Sequence, residues 1–244
     1  MFDDVIVVSR ERTTATVDEV RALEGDLGVT MPPGYAEFVT TLGEGTFGDS
    51  LQVKLPATIR RDLPGARERW RDYWFWDERL LTHQQAGDAV VVADTDTGDE
   101  LVVHPAHGGR IFVLPRDTEE VVDAGSTVRE LLDWYCTAGL VTPPISVRWF
   151  MAWTGRTTYQ NWQGGDGARM RSAVLGLGLH AAVQEYDDGQ LLLVMPHIGG
   201  RLSIGLAGHA SVRYDTDMGS RWEPIARALA EAGAQPGAPW GDLD

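Results

Sequence analysis

The sequence predicts an α+β fold: an antiparallel sheet flanked by helices, followed by a smaller α+β domain. Two observations support this. Segments with apolar residues at helical spacing are interspersed with short apolar segments bounded by turn residues, a pattern typical of antiparallel strands. Thr142-Pro143-Pro144 then forms a short, stiff boundary. We therefore predict two domains, residues 1–141 and residues 145–244.

Two helices are predicted near the N-terminus, after a short apolar segment that suits an edge strand. Thr16 and Glu19 have the spacing of a capping box, and the helix that follows ends at Gly28. The second helix begins at Pro33, because a first turn does not need the missing N–H, and ends at Gly43. Its apolar face consists of Tyr35, Phe38, Val39 and Leu42.

The first sheet is predicted from segments in which apolar and polar side chains alternate and from the turn residues between them. Residues 51–55 alternate apolar and polar side chains, and residues 90–93 and 101–104 flank an acidic turn. Residues 111–114 supply another strand, and a closing helix covers residues 126–135. The residues expected to share one buried core are Tyr35, Phe38, Val39, Leu42, Val91, Ile111, Val113, Leu131 and Trp134.

The second half of the sequence indicates a separate α+β unit, in which we recognise no family. Residues 145–153 are apolar without a period that separates strand from helix, and the tail from Gly233 is expected to be loose. No internal repeat between the halves is evident. The predicted elements are a helix over 167–179, a hairpin of 181–186 and 190–195, strands over 201–206 and 210–214, and a helix over 222–232.

The order of motifs in the first half resembles a known family. The motifs are the Pro-Pro-Gly-Tyr helix with its Gly-x-Gly end (residues 31–45), the hairpin (90–105), the next strand (110–117) and the closing helix (126–135). Across about residues 16–138 they resemble the SMI1/KNR4 proteins of the SUKH superfamily. Bacterial members of that family are regarded as immunity proteins that neutralise a cognate toxin, and fungal members as regulatory scaffolds. The resemblance implies no catalytic residues.

Charge favours a basic partner. The net charge is −15, and residues 1–143 carry 26 Asp and Glu against 13 Lys and Arg, whereas residues 144–244 carry 10 against 8. Such a field repels nucleic acid and anionic membranes and steers basic proteins towards the chain. An acidic balance also simply keeps proteins soluble. The charge is therefore consistent with a toxin-binding hypothesis, but charge alone would not suggest that function.

The expected compartment is the cytoplasm. The first residues, Met-Phe-Asp-Asp, are acidic where a signal peptide is basic, and no apolar run approaches the roughly 20 residues of a membrane helix. The single cysteine, Cys136, excludes an internal disulfide and a cysteine-based zinc site, and we expect it to be a small buried residue.

We predict no catalytic centre, no metal site and no cofactor. The chain has neither a Gly-x-Ser-x-Gly elbow nor a His-Glu-x-x-His helix, and Cys136 has no obvious partner histidine. The close pair His104 and His107 lacks further ligands at a familiar spacing. The turn over residues 94–100 lacks the length of an EF-hand loop, so we interpret it as a hairpin turn.

The acidic turn is the first candidate partner-binding site. As a turn it is expected to present Asp94, Asp96, Asp99 and Glu100 to solvent, where they would form a negative patch for a basic protein. Asp77 and Glu78 are expected to add contacts.

The aromatic segment around Trp74 and Trp76 is the second candidate, within residues 67–79 that we expect to be partly helical. The simpler interpretation packs these rings between the two domains. The alternative makes them anchors for a partner, since Trp, Tyr and Arg dominate interface hot spots.

The leading hypothesis is a non-catalytic immunity protein that binds and blocks a bacterial toxin, which would suit a nuclease because many of these are basic. A regulatory or scaffold module of the SMI1/KNR4 type is the alternative. An enzyme housed in the second half has the least support.

Overall fold

The computed structural model describes residues 2–137 and 144–241, and for residues 240 and 241 the backbone alone. Helices make up 35% and strands 25%, and two sheets are rich in antiparallel pairs, which confirms the α+β class. Two compact units are present: Met1–Asp3 with Thr13–Pro144, and Asp4–Arg12 with Ile145–Asp244. Thr142 and Pro143 of the predicted boundary lie outside the described residues.

The elements of the described residues follow in chain order. The helices are α1 (Val17–Leu27), α2 (Tyr35–Thr41), α3 (Pro56–Asp72), α4 (His83–Ala86), α5 (Val128–Thr137), α6 (Gly167–Gly176) and α7 (Gly219–Glu231). The strands are β1 (Ile6–Val7), β2 (Gly45–Phe47), β3 (Leu51–Val53), β4 (Val90–Thr95), β5 (Glu100–Val103), β6 (Ile111–Leu114), β7 (Val122–Gly125), β8 (Trp149–Ala152), β9 (Thr157–Gln163), β10 (Ala182–Glu185), β11 (Leu191–Met195), β12 (Gly200–Ile204), β13 (Ala210–Asp215), β14 (Gln235–Pro236) and β15 (Trp240–Gly241).

The first unit is built on an antiparallel sheet of strand order β2-β3-β4-β5-β6-β7. The predicted capping box starts α1: Thr16 Oγ1 accepts from Glu19 N at 3.2 Å, and the Glu19 carboxylate accepts from Thr16 N at 2.6 Å. Gly28 ends α1 with φ 62°. Gly43 has φ +86°, and a Cβ there would lie 2.2 Å from Thr13 O, so this position accepts only glycine.

The core of the first unit follows the predicted periodicity with one exception. Eight of the nine expected residues are buried, Phe38 fully. Trp134 is only half-buried, so its assignment to the core was wrong. The inward stripe of α5 passes through Leu131, Leu132 and Tyr135 instead, and the Tyr135 hydroxyl accepts from Ser50 N at 3.1 Å.

Helix α3 differs most from the sequence-based expectation. It begins at Pro56, whereas the sequence predicted helix only from residue 67, because proline suits a first helical turn as well as a turn after a strand. It ends at Asp72, where Tyr73 takes φ −148° and ψ 104°. The expected partly helical segment 67–79 therefore stops before Trp74. Strand β2 was also missed, since its glycine-containing sequence was interpreted as the end of α2.

The second unit contains the predicted hairpin, β10 with β11, and continues as an antiparallel sheet of strand order β10-β11-β12-β13-β9. Strand β9 was not predicted. The short strands β14 and β15 pair with β9, so the tail from Gly233 is ordered in part, contrary to expectation. Helices α6 and α7 bury Met170, Val174, Ile225 and Leu229 in one cluster with Leu193.

The opposite face of β11 is also covered within the second unit. Leu192 and Val194 share a cluster with Val8 and Trp149. Strand β1 pairs in parallel with β8, Ile6 opposite Trp149. This pairing explains why residues 4–12 group with the second unit, whereas the sequence assigned residues 1–141 to the first domain.

A repeated element occurs in both units, although no repeat was expected. In the first unit β5 leads through a 3-10 turn (Pro105–His107) into β6, and in the second β11 leads through Pro196–Ile198 into β12. Each turn ends at a Gly-Gly-Arg, with Gly108 at φ 57° and Gly199 at φ 64°. Each element lies in a four-stranded meander followed by a helix, α5 or α7. The two turns share the pattern Pro-x-x-Gly-Gly-Arg at residues 105–110 and 196–201, a short signal that sequence reasoning overlooked.

No helix in the described ranges, 2–137 and 144–241, is both long and apolar enough to cross a bilayer.

Replacing Leu131 by Ala should lower the free energy of unfolding by about 2–5 kcal/mol, because it removes buried methyl groups and leaves a cavity. Leu131 is 2% exposed, whereas Val17, the control, is 45% exposed. Val17→Ala should change stability by less than about 0.5 kcal/mol. Urea denaturation followed by circular dichroism measures both. Equal effects of the two substitutions would show that the assigned inward face of α5 is wrong.

Candidate functional site

The acidic turn between β4 and β5 is more buried than the sequence suggested. Asp99 is 7% exposed, Asp94 and Glu100 are half-buried, and Asp96 is exposed. The expectation that all four carboxylates face solvent is therefore wrong for three of them. Their hydrogen-bond partners show what holds them.

Asp99 closes the turn from inside. Its Oδ2 accepts from Thr95 Oγ1 at 2.9 Å and from Thr97 Oγ1 at 3.2 Å, and its Oδ1 accepts from Arg116 N at 2.9 Å. A buried carboxylate with three donors stabilises a loop in one conformation. Asp99 therefore serves the turn and is not available to a partner.

Asp94 and Glu100 are also committed to neighbours. The Asp94 carboxylate lies 2.6 Å from the ammonium of Lys54, and burial raises the pKa of Asp94 while the Lys54 charge opposes that rise. Glu100 accepts from Trp70 Nε1 at 2.7 Å and is ion-paired with Arg69. Asp96 is the exposed member, and its carboxylate accepts from the Ser50 hydroxyl.

The aromatic segment is an irregular, anchored stretch that follows α3. The indole Nε1 of Trp76 donates to Pro115 O at 2.6 Å, and Asp77 N donates to Glu119 O at 2.7 Å. Leu81 is fully buried at its far end. Trp74 and Trp76 pack with their inner edges against the core of the first unit.

The rings of this segment form a continuous series of contacts. Tyr73 and Phe75 have centroids 5.7 Å apart, Phe75 and Trp76 4.4 Å, and Trp76 and Trp74 5.0 Å. Trp74 then stacks on His83 at 5.6 Å with an interplanar angle of 10°. We call the five residues Tyr73, Trp74, Phe75, Trp76 and Leu80 the aromatic surface, because each is exposed or half-buried.

The aromatic surface is the most apolar exposed feature of the segment. Tyr73 is 67% and Leu80 is 38% exposed. Carboxylates border it: Glu78 is exposed, and Asp77, whose pKa is lowered by its hydrogen bond from Arg79, is half-buried. Arg79 also pairs with Glu120 at 2.9 Å. Sequence reasoning selected Trp74 and Trp76 but not Tyr73, and it expected residues 67–79 to be partly helical, whereas α3 ends at Asp72.

Of the close histidines, His104 is buried and His107 is half-buried. His104 is 5% exposed and its Nδ1 accepts from Ala106 N at 3.1 Å, while burial lowers its pKa. Among the described residues, no group of three or more His, Cys, Asp or Glu side chains is placed to hold a metal ion. Cys136 is buried, as expected.

Comparisons with protein-family models, with curated proteins and with solved structures find no significant match to this chain. The resemblance to the SMI1/KNR4 proteins therefore stays a prediction.

Asp99→Ala should destabilise the first unit by about 1–3 kcal/mol, because it leaves Arg116 N and the Thr95 hydroxyl without their acceptor. Asp96→Ala, at the exposed position of the same turn, should cost clearly less. Urea denaturation compares the two variants directly. A smaller loss for Asp99→Ala than for Asp96→Ala would contradict the structural role of Asp99.

Proposed function

We propose that this chain is a non-catalytic protein-binding module that neutralises a basic toxin, and that it binds its partner through the aromatic surface. The observation that carries this proposal is the chain of ring contacts from Tyr73 to Trp76, exposed on one side and anchored on the other. The acidic turn was our first candidate from the sequence. It instead stabilises this region, because Glu100 accepts a hydrogen bond from Trp70 at the end of α3.

Anchoring matters because binding orders side chains at a cost of about 0.5–1.5 kcal/mol for each flexible one. The hydrogen bond from Trp76 to Pro115 and the stack of Trp74 on His83 hold these rings before a partner arrives. Tyr and Trp offer large contact areas with few rotatable bonds, which is why they are common hot spots.

The border of the aromatic surface supports a basic partner. Exposed carboxylates at Glu78 and Asp117 lie in or beside the anchored segments, as does Asp72, which is paired with Arg71, and the whole chain has a net charge of −15. Complementary charge at a rim mainly accelerates association and selects partners. An apolar centre with an acidic rim would suit the substrate-binding face of a nuclease toxin, which must be basic to hold its nucleic acid.

The regulatory-scaffold alternative differs in its partner and not in its surface. Genomic neighbourhood separates the two: a gene just upstream that encodes a secreted protein with a variable C-terminal region favours immunity. A direct test expresses that C-terminal region with and without this chain. Restored growth supports the proposal, and continued toxicity despite soluble expression of both proteins contradicts it.

Tyr73→Ala should weaken binding to the partner by at least tenfold, because it removes the most exposed ring of the surface, and a tenfold loss corresponds to about 1.4 kcal/mol. Tyr73→Phe, which keeps the ring, should lose much less. Leu206→Ala is the matched control, since Leu206 is 57% exposed in the second unit. Surface plasmon resonance with the partner, identified by pull-down from the native host, measures all three.

Glu78→Gln should reduce the association rate more than it changes the dissociation rate, with a smaller difference in higher salt, because rim charges act through steering. If Tyr73→Ala and Leu206→Ala bind as tightly as the unmodified chain, the aromatic surface is not the binding site.

A further inference from the structure

A basic pocket of about 510 Å³ lies beside the aromatic surface. It is lined by Arg67 and Arg71 of α3 and by His83, Gln84 and Gly87 in and after α4. Its lining contains four nitrogen-bearing side chains and no carboxylate, in a chain of net charge −15. The volume falls within the range of small-molecule sites.

Arg67 is fixed in position by a buried carbonyl. Its Nε and Nη2 both donate to Ala89 O at 3.3 Å, and Ala89 is fully buried. A guanidinium carries five N–H donors in a planar fork, so two donors directed at one carbonyl leave the outer part of the fork for a ligand. The side chain is thus oriented before any ligand binds.

Arg71 lies one helical turn further along the same face of α3. Its partner is the adjacent Asp72, with 3.6 Å between Arg71 Nε and Asp72 Oδ1, and the side chains are 71% and 69% exposed. Such exposed pairs contribute little free energy. Arg71 can therefore turn towards an anion at small cost.

His83 adds a donor of a different kind. Its Nε2 lies 3.0 Å from Trp70 O, and since a carbonyl only accepts, Nε2 carries a hydrogen. The Nδ1 atom is the ring nitrogen left for a ligand, and it donates to an anion only in the ring that carries a hydrogen on both nitrogens. The stack on Trp74 holds the ring plane.

We propose that this pocket binds the phosphate group of a small phosphate monoester, with Arg67, Arg71 and His83 as its ligands. A monoester phosphate carries three terminal oxygens and a charge of about −1.5 to −2, which matches several donors from three side chains better than the two oxygens of a carboxylate do. The volume exceeds that of phosphate alone and accommodates the organic group. This site uses different residues from the aromatic surface and binds its ligand in the absence of a protein partner.

Isothermal titration calorimetry on the full chain tests the proposal, with ribose 5-phosphate and inorganic phosphate as probes, and ribose and matched sodium chloride as controls. Arg71→Gln should weaken binding of both phosphate compounds about tenfold, because it removes one charged donor. Arg61→Gln is the matched control: Arg61 lies on the same helix, pairs with the adjacent Asp62 and is 73% exposed. It should bind like the unmodified chain.

Saturable binding of ribose 5-phosphate that is weakened in Arg71→Gln and retained in Arg61→Gln supports the site. Three results overturn it: no saturable heat for either phosphate compound, equal losses in the two variants, or ribose binding as tightly as ribose 5-phosphate. Circular dichroism of both variants confirms that they are folded, and the exposure of both arginines makes loss of folding an unexpected outcome.

Discussion

The Glu100 carboxylate ties the end of α3 to the central hairpin, and the surrounding surface depends on that tie. Trp70 is 1% exposed, and its indole N–H reaches Glu100 Oε2 at 2.7 Å. Without that acceptor the N–H would be buried and unsatisfied, at a cost of about 1–3 kcal/mol. Trp70 O in turn accepts from His83 Nε2. The hairpin, the end of α3 and the start of α4 are thus joined by two hydrogen bonds through one residue, which positions both the aromatic surface and the basic pocket.

The elements that could be predicted are those determined by residues close together in the sequence. The capping box of Thr16 and Glu19, the αL cap at Gly28 and the hairpin around Gly189 need only residues near in sequence, so they could be predicted. Helix α3 could not, because Pro56 is equally compatible with a turn and with a first helical turn. Strand β9 was missed for a related reason: it has exposed polar residues, and its strand character comes from β13 and the tail strands that pair with it.

The candidate site was only partly predictable, because its decisive partners are distant in sequence. Glu100 and Trp70 are separated by 30 positions, and Asp99 and Arg116 by 17. A run of carboxylates in a turn indicates solvent exposure only when no donors from other elements reach it. Here Lys54, Arg69 and Arg116 reach it, and the turn becomes a structural junction. The aromatic residues were recognised by density alone, but which of them are exposed depended on where α3 ends.

His83 lies between two neighbouring surfaces that favour ligands of opposite charge. The aromatic surface has an acidic border that attracts cations, whereas the pocket next to it presents Arg67 and Arg71. Their charges favour different ligands, so the two sites need not compete for the same group. They do share the stack of His83 on Trp74. Because this stack already holds both rings, a ligand in the pocket and a partner at the aromatic surface meet the two sides of the same contact. A coupling free energy between the two sites would, by linkage, be equal in both directions, and the His83–Trp74 stack is one contact through which it could act.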